Sequence, residues 1–188
     1  MLDDQTYLSG TRYEKVIQCL EKAGWYQGRK TDIEKVESHY SAKGVSLSEP
    51  QKDIFREFYG IAEEWFFNED APKIRRGPDF EFYLLPGNMP EWYSVDEMPD
   101  TNHKWYDLDY VRDMEELASL AGESPVYIGK IGYYYPSYCY ADSKGQLWEL
   151  TETRLINRFD NLIDLTDKAF YHWEKWDRVR MKHILRVT

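Results

Sequence analysis

Carboxylates are the side chains of this sequence most able to do chemistry, because they are concentrated in one segment. Residues 61–125 contain sixteen Asp and Glu against five Lys and Arg, in a chain of 188 residues with a formal charge of −10. Acids at this density could form a general acid/base pair, hold a cation or attract a basic protein. Their spacing along the elements that carry them decides between these chemistries.

Adjacent acid pairs such as Glu63-Glu64 and Glu115-Glu116 do not favour catalysis. Neighbours on a strand point to opposite faces, and neighbours on a helix are about 100° apart. Solvated charge is therefore favoured over an acid/base pair or a cation site. The Asp142-x-x-Gly145 motif is likewise more typical of a turn than of a metal site.

Aromatic residues accompany the acids, with Trp92 and Trp105 as the main examples. They could stack on a sugar, contact a protein, or simply pack into a loop or core. Their acidic neighbours favour a basic protein partner, whose approach the negative field would accelerate. The predicted partner-binding residues are Glu63, Glu64, Asp79, Glu81, Trp92, Asp96, Glu97, Asp100, Trp105, Asp107 and Asp109.

Patterns for nucleophilic, phosphate or metal chemistry are weak. The chain has no G-x-S-x-G motif, and its two cysteines, Cys19 and Cys139, are predicted to be buried thiols in a reducing compartment. The four histidines and the cysteines show no metal-ligand spacing. The run from Gly129 to Gly132 lacks the end of a phosphate loop and predicts a β-bulge or close strand contact. We therefore expect a protein that is not an enzyme and needs no cofactor or metal.

The charge distribution also argues against nucleic acid as a direct partner. Such an acidic surface repels phosphate, and the basic stretch 175–188 is too small to serve alone as a nucleic-acid-binding surface. No apolar run approaches the roughly 20 residues of a membrane span, so no membrane partner is expected. The first residues show no signal peptide, and a cytoplasmic protein is predicted.

Helical signals dominate the first third of the chain. A helix is predicted to begin near Ser9 or Thr11 and to end in a Schellman motif formed by Gly24 and Trp25. A second helix, capped by Thr31, is predicted to reach Gly44, and a third has a capping box and spans 48–60. These helices precede the acidic segment.

Strand signals follow in two groups with a helix between them. Short strands are predicted at 65–67 and 79–85, and a long irregular stretch at 86–106. A helix from Asp107 or Asp109 to Ala121 precedes strands at 126–131, 133–141 and 146–150, and a last helix spans about 160–176. A βαβ alternation is absent. The predicted fold is therefore α+β with a mainly antiparallel sheet, as a single domain at 1–176 and a basic C-terminal tail at 177–188.

Several short motifs are similar to one family of bacterial proteins. The stretch Leu20-x-x-Ala23-Gly24-Trp25-x-x-Gly28-Arg29 resembles the opening of the third branch of the SUKH superfamily of immunity proteins. The family's order continues through Ile54-Phe55-x-x-Phe58-Tyr59-Gly60, Val126-x-Ile128-Gly129 and Asp142-x-x-Gly145-x-Leu147. The resemblance spans residues 13–175. The family's paired glycines are replaced by Gly60-Ile61, and residues 68–106 and those after Trp176 have no counterpart.

The resemblance implies a cytoplasmic antidote with a single SUKH-like α+β domain. Such a protein binds a cognate secreted toxin, often a nuclease, and blocks its action. The resemblance implies fold-forming roles for Gly24, Trp25, Gly28 and Arg29, with Trp25 closing the helix cap and Arg29 pairing with a carboxylate. An adaptor or scaffold of the same fold and a small sugar-binding module remain alternatives.

Overall fold

The computed structural model describes residues 5–67, 78–85, 104–133, 135–151, 153–170 and 177–183. Five helices and eight strands lie within these ranges. In chain order they are β1 (Gln5–Tyr7), α1 (Arg12–Lys22), α2 (Glu34–Ala42), α3 (Glu49–Phe58), β2 (Ala62–Phe67), β3 (Phe80–Tyr83), α4 (Lys104–Ala121), β4 (Val126–Ile131), β5 (Ser137–Ala141), β6 (Leu147–Thr151), β7 (Ile156–Phe159), α5 (Leu162–Ala169) and β8 (Arg178–His183).

The eight strands form one sheet in the order β1-β8-β2-β3-β4-β5-β6-β7. Every neighbouring pair is antiparallel. From β2 to β7 each strand pairs with the next one along the chain, whereas β8 inserts between β1 and β2. The predicted α+β class with a mainly antiparallel sheet is therefore confirmed.

The two faces of the sheet are covered by different helices. On β5, Cys139 and Ala141 join the main core with α1, α2, α3 and α5, and we name this side the helical face. Tyr140, which lies between them in sequence, points to the opposite side and packs against Leu117 of α4. We name that side the α4 face. The main core includes Val16, Leu20, Val36, Phe55, Trp65, Phe82, Ile128 and Leu165.

The end of α1 is the predicted Schellman motif. Gly24 has a φ of 96°, a left-handed conformation that only glycine adopts without strain. The Trp25 N–H donates to the Leu20 carbonyl at 2.9 Å, and the Gly24 N–H donates to the Glu21 carbonyl at 3.1 Å. At its start, α1 is capped by Thr11, one of the two predicted residues.

The predicted capping box of α3 is confirmed, but the predicted cap of α2 is wrong. Ser48 accepts a hydrogen bond from the Gln51 N–H at the start of α3. Helix α2 begins only at Glu34, whose N–H donates to Asp32 Oδ1 at 2.9 Å. Thr31 lies before the helix and donates its own N–H to the Arg56 carbonyl at 2.8 Å, which ties it to α3.

The predicted irregularity at Gly129 is a β-bulge in β4. The pairing of β4 with β5 shifts register between Tyr127 and Gly129, and Gly129 has a φ of 155°. A Cβ at this position would lie 2.4 Å from the Tyr83 carbonyl oxygen of β3. The glycine is therefore required by the close approach of two strands.

The predicted basic tail at 177–188 is wrong for the residues that the structure describes there. Residues 178–183 form β8, which pairs with both β1 and β2. Val179 and Met181 are buried and alternate with basic residues, which is the pattern of a half-buried strand. The prediction of a tail considered the number of basic residues and not this alternation. The short strands β1 and β7 were not predicted either.

Other boundaries differ by a few residues. Helix α4 begins at Lys104, so the end of the stretch predicted as irregular is helical. Strand β5 begins at Ser137 and not at residue 133. Residues 86–103 and 171–176 lie outside the described ranges. Among the residues that the structure describes, no helix is long and apolar enough to cross a membrane.

Candidate functional site

The Gly-Trp-x-x-Gly-Arg motif forms one bonded unit between α1 and α3. Trp25 is buried and lies parallel to Phe58, with the ring centroids 6.3 Å apart. Its Nε1 donates to Glu57 Oε1 at 3.0 Å. Together with its main-chain bond to Leu20, this contact fixes the end of α1 against the last turn of α3. The predicted role of Trp25 in closing the helix cap is confirmed.

Arg29 completes the unit by bonding to main-chain carbonyls. Its Nη1 donates to the Glu57 carbonyl at 2.7 Å, and its Nη2 donates to the Tyr59 carbonyl at 2.9 Å. These carbonyls lie at the C-terminal end of α3, where they have no partner within the helix and where a cation is favourable. Among the described residues, the hydrogen bonds of Arg29 thus go to main-chain carbonyls of the helix end, where the prediction had a carboxylate.

Glu63 lies close to this unit, on the helical face of β2. The residue is only 3% exposed. Burial raises the pKa of its carboxyl to about 8, against the opposing effects of a hydrogen bond with the Ala62 backbone and the charge of Arg29. A buried carboxyl of this kind is protonated at neutral pH, so it presents neither charge nor surface to a partner.

Glu81 is also buried, on the α4 face of β3. It forms an ion pair with Lys130 of β4, and both side chains are almost fully enclosed. This enclosure and that of Glu63 remove two residues from the predicted contact set. Glu64 and Asp79 are half-buried and keep some exposed surface.

The remaining predicted contact residues lie outside the described side chains. Trp92, Asp96, Glu97 and Asp100 fall in residues 86–103, which the structure does not describe. Trp105, Asp107 and Asp109 occupy backbone positions of α4, but their side chains are outside the described part. Within residues 61–125, the exposed carboxylates that the structure describes are Glu115 and Glu116, on the later half of α4, and Glu123 just after the helix.

The α4 helix carries a row of exposed residues at helical spacing, Glu115, Glu116, Ser119 and Leu120, which we name the α4 stripe. An exposed cation, Arg112, precedes the stripe by one turn. Leu120 is 55% exposed. Neither glutamate makes a hydrogen bond or ion pair with any described residue. The stripe therefore presents two free carboxylates beside an apolar side chain, an arrangement suited to a basic protein surface with an apolar centre.

Three contacts hold the later half of α4 on the sheet. Leu117 is fully buried against Tyr140 and Leu150. One turn earlier, the carboxylate of Asp113 lies 3.6 Å from Nε of Arg154, in the turn between β6 and β7. After the helix, the Ser143 N–H of the β5–β6 turn donates to the carboxylate of Glu123. The α4 stripe is therefore displayed from a helix that is packed on the sheet.

A polar cluster on the helical face was missed by the sequence analysis. Glu149 is 1% exposed and accepts hydrogen bonds from the Ser137 hydroxyl and from Asn157 Nδ2, while Lys168 of α5 forms an ion pair with it. Serine, glutamate and lysine could in principle support nucleophilic chemistry. The Ser137 side chain is buried and its hydroxyl is bonded to Glu149, so the cluster fastens α5 to the sheet. Alternation places Ser137 and Glu149 on one face, but only the fold supplies Lys168.

The predicted burial of both thiols and the predicted turn at Asp142 are confirmed. Cys19 and Cys139 are free and buried. Asp142 Oδ1 accepts hydrogen bonds from the N–H groups of Lys144 and Gln146, which makes the acid a turn-forming residue. Among the described residues, no group of three or more His, Cys, Asp and Glu side chains could hold a metal ion. Comparisons of the chain with protein-family models, curated proteins and solved structures found no match.

Proposed function

We propose that this protein is an immunity protein that binds a cognate secreted bacterial toxin and neutralises it by masking the toxin's active site or functional surface. The toxin presents a basic surface, as the substrate-binding face of a nuclease would. The protein acts by occupying that surface and performs no catalysis. Carboxylates of the immunity protein then stand where the phosphates of a nucleic acid would bind.

One observation carries the proposal: the residues that resemble the SUKH family act as a single structural unit. Gly24 provides the left-handed turn, Trp25 packs on α3, and Arg29 bonds the end of α3. Gly28 has a φ of 78°, which explains the second glycine of the motif. This shared structural purpose supports the resemblance, because the residue types and their spacing are both needed for the unit.

The α4 stripe is the described surface that best fits a basic toxin. Its carboxylates, Glu115 and Glu116, are exposed and belong to the acidic segment from which the partner was first inferred. A surface whose helix is already packed on the sheet loses less conformational entropy on binding than a loop would. The half-buried Glu64 and Asp79 can contribute at the margin.

Co-expression tests the function directly. The toxin encoded beside this protein should arrest the growth of cells that produce it alone, and the intact protein should restore growth. Purified toxin should also bind the protein in a pull-down. If growth is not restored by well-expressed, folded protein, the immunity function is wrong.

A pair of single variants tests the contact surface. Glu116→Lys should weaken toxin binding and should lower the association rate at low salt, because it reverses a charge of the contact. Glu21→Lys makes the same change on an exposed position of α1, on the opposite face of the sheet, and should leave binding unchanged. Equal binding by both variants would exclude the α4 stripe.

A further inference from the structure

The α4 face of the sheet is covered unevenly by the described elements. Helix α4 covers β5 and β6, but at the other end of this face Tyr7 is 69% exposed and Arg180 is also exposed. Both side chains lie on the α4 face because their strand neighbours, Thr6 and Val179, are buried on the helical face. We name this exposed region the β1–β8 strip.

The β1–β8 strip presents a cation beside an aromatic ring. The cation is Arg180, whose side chain is exposed on β8. Within the described part of the chain, no hydrogen bond or ion pair engages the guanidinium of Arg180. Tyr7 pairs in register with residue 178, so its exposed ring lies diagonally across from Arg180. The strip therefore fits a partner that presents carboxylates beside an apolar side chain.

The α4 stripe has that chemistry, with Glu115 and Glu116 beside Leu120. We propose that a second copy of this chain occupies the β1–β8 strip, with the α4 stripe of each copy lying on the strip of the other. Both surfaces belong to the same face of the sheet, at its opposite ends. A twofold axis that relates the two copies therefore produces the same contact twice, as in an isologous dimer.

The dimensions of the two surfaces agree. Two adjacent strands span about 10 Å across the sheet, which is about the diameter of one helix with its side chains. Tyr7 and Arg180 are diagonal neighbours on β1 and β8, about 7–8 Å apart, and one helical turn separates Glu116 from Leu120 by about 6 Å. Glu116 of one copy can thus reach Arg180 of the other while Leu120 contacts Tyr7. Opposite charges at both contacts favour this pairing over other orientations.

Analytical ultracentrifugation of the full chain tests the dimer. The unmodified protein should be dimeric at low salt and should dissociate more readily as salt is raised, because exposed charges are screened. Arg180→Glu and Glu116→Arg should each weaken the dimer by at least about tenfold. The chain that carries both changes restores opposite charges across the interface and should recover most of the dimer. Glu21→Arg is the control and should leave the dimer intact.

Several outcomes would overturn this inference. The unmodified protein could be a monomer at every protein and salt concentration. The double variant could be no more dimeric than the single variants. Glu21→Arg could weaken the dimer as much as the interface variants do. If the protein is a monomer and a single-stranded oligonucleotide or a polyglutamate peptide binds at Arg180, the β1–β8 strip binds that anion and not a second copy. Circular dichroism of each variant shows whether it is folded. The inference does not rest on toxin binding. If a monomeric protein restores growth, only the dimer is wrong. If the protein is a dimer but does not restore growth, only the immunity function is wrong.

Discussion

At the residue scale, Glu63 links folding to pH through its burial. Its carboxyl has a pKa of about 8 in the folded chain and an ordinary value near 4.5 when unfolded. Between these values the unfolded chain releases a proton that the folded chain keeps, so the folded state loses stability as pH rises through this window. Below the window the proton is bound in both states, and the penalty disappears.

Glu63→Gln should remove this pH dependence, because the amide resembles the protonated carboxyl and does not ionise. Relative to the unmodified protein, the variant should gain at most about 1.4 kcal/mol of unfolding free energy for each pH unit between 4.5 and 8. Urea unfolding at pH 5 and pH 8 measures the gain. Glu21→Gln, at an exposed position, is the control, and an equal gain for Glu63→Gln at both pH values would contradict the assignment.

Arg29 stabilises the fold through the shape of its guanidinium. Two separate nitrogens bond two carbonyls of α3, and an ammonium group on a flexible stem cannot reproduce this fork. Arg29→Lys should therefore lower the unfolding free energy by about 1.5–3 kcal/mol. Arg158→Lys, at an exposed position of β7, is the control for urea unfolding. Equal effects at the two positions would show that the fork does not matter.

At the element scale, the bulge of β4 distinguishes two glycines that share a positive φ. Gly122 ends α4 with open space around it, whereas a Cβ at Gly129 would meet the main chain of β3. Gly122→Ala should cost about 1 kcal/mol from backbone strain alone. Gly129→Ala should cost about 1–3 kcal/mol more, because two strands must separate. Thermal unfolding measures the difference, and equal costs would mean that the strands can move apart freely.

Local signals predicted the elements that local bonds determine. The Schellman motif at Gly24, the Ser48 capping box and the turn at Asp142 each depend on residues within a few positions of one another, and all three are present. The misplaced Thr31 cap and the missed strand β8 depend on partners far away in sequence. Thr31 is bonded to α3, and β8 is a strand only because β1 and β2 flank it.

The candidate site was predicted less well for the same reason. Charge and composition identify the acidic segment, but the fold decides which acids stay at the surface. Glu63 and Glu64 are neighbours in sequence, yet one is enclosed on the helical face and the other is half-exposed. Likewise, Lys130 and Glu81 become an ion pair only when β3 and β4 align.

At the scale of the whole molecule, the two proposals use one surface and so predict competition. If the α4 stripe binds both a basic toxin and the β1–β8 strip of a second copy, the two complexes exclude each other. Adding catalytically inactive toxin to the dimer should therefore produce complexes of one toxin and one immunity protein. The dimer should disappear in proportion to the toxin added, because toxin binding removes monomer from the dimer equilibrium.

Mass photometry of the mixture, with toxin alone and dimer alone as references, measures this exchange. Arg180→Glu should bind toxin more readily than the unmodified protein, because it weakens the dimer while leaving the α4 stripe unchanged; Glu116→Lys should weaken both complexes. A stable particle with two toxins on an intact dimer would show that the toxin binds elsewhere. In that case Arg180→Glu would not change toxin affinity, and the α4 stripe would be the dimer contact alone.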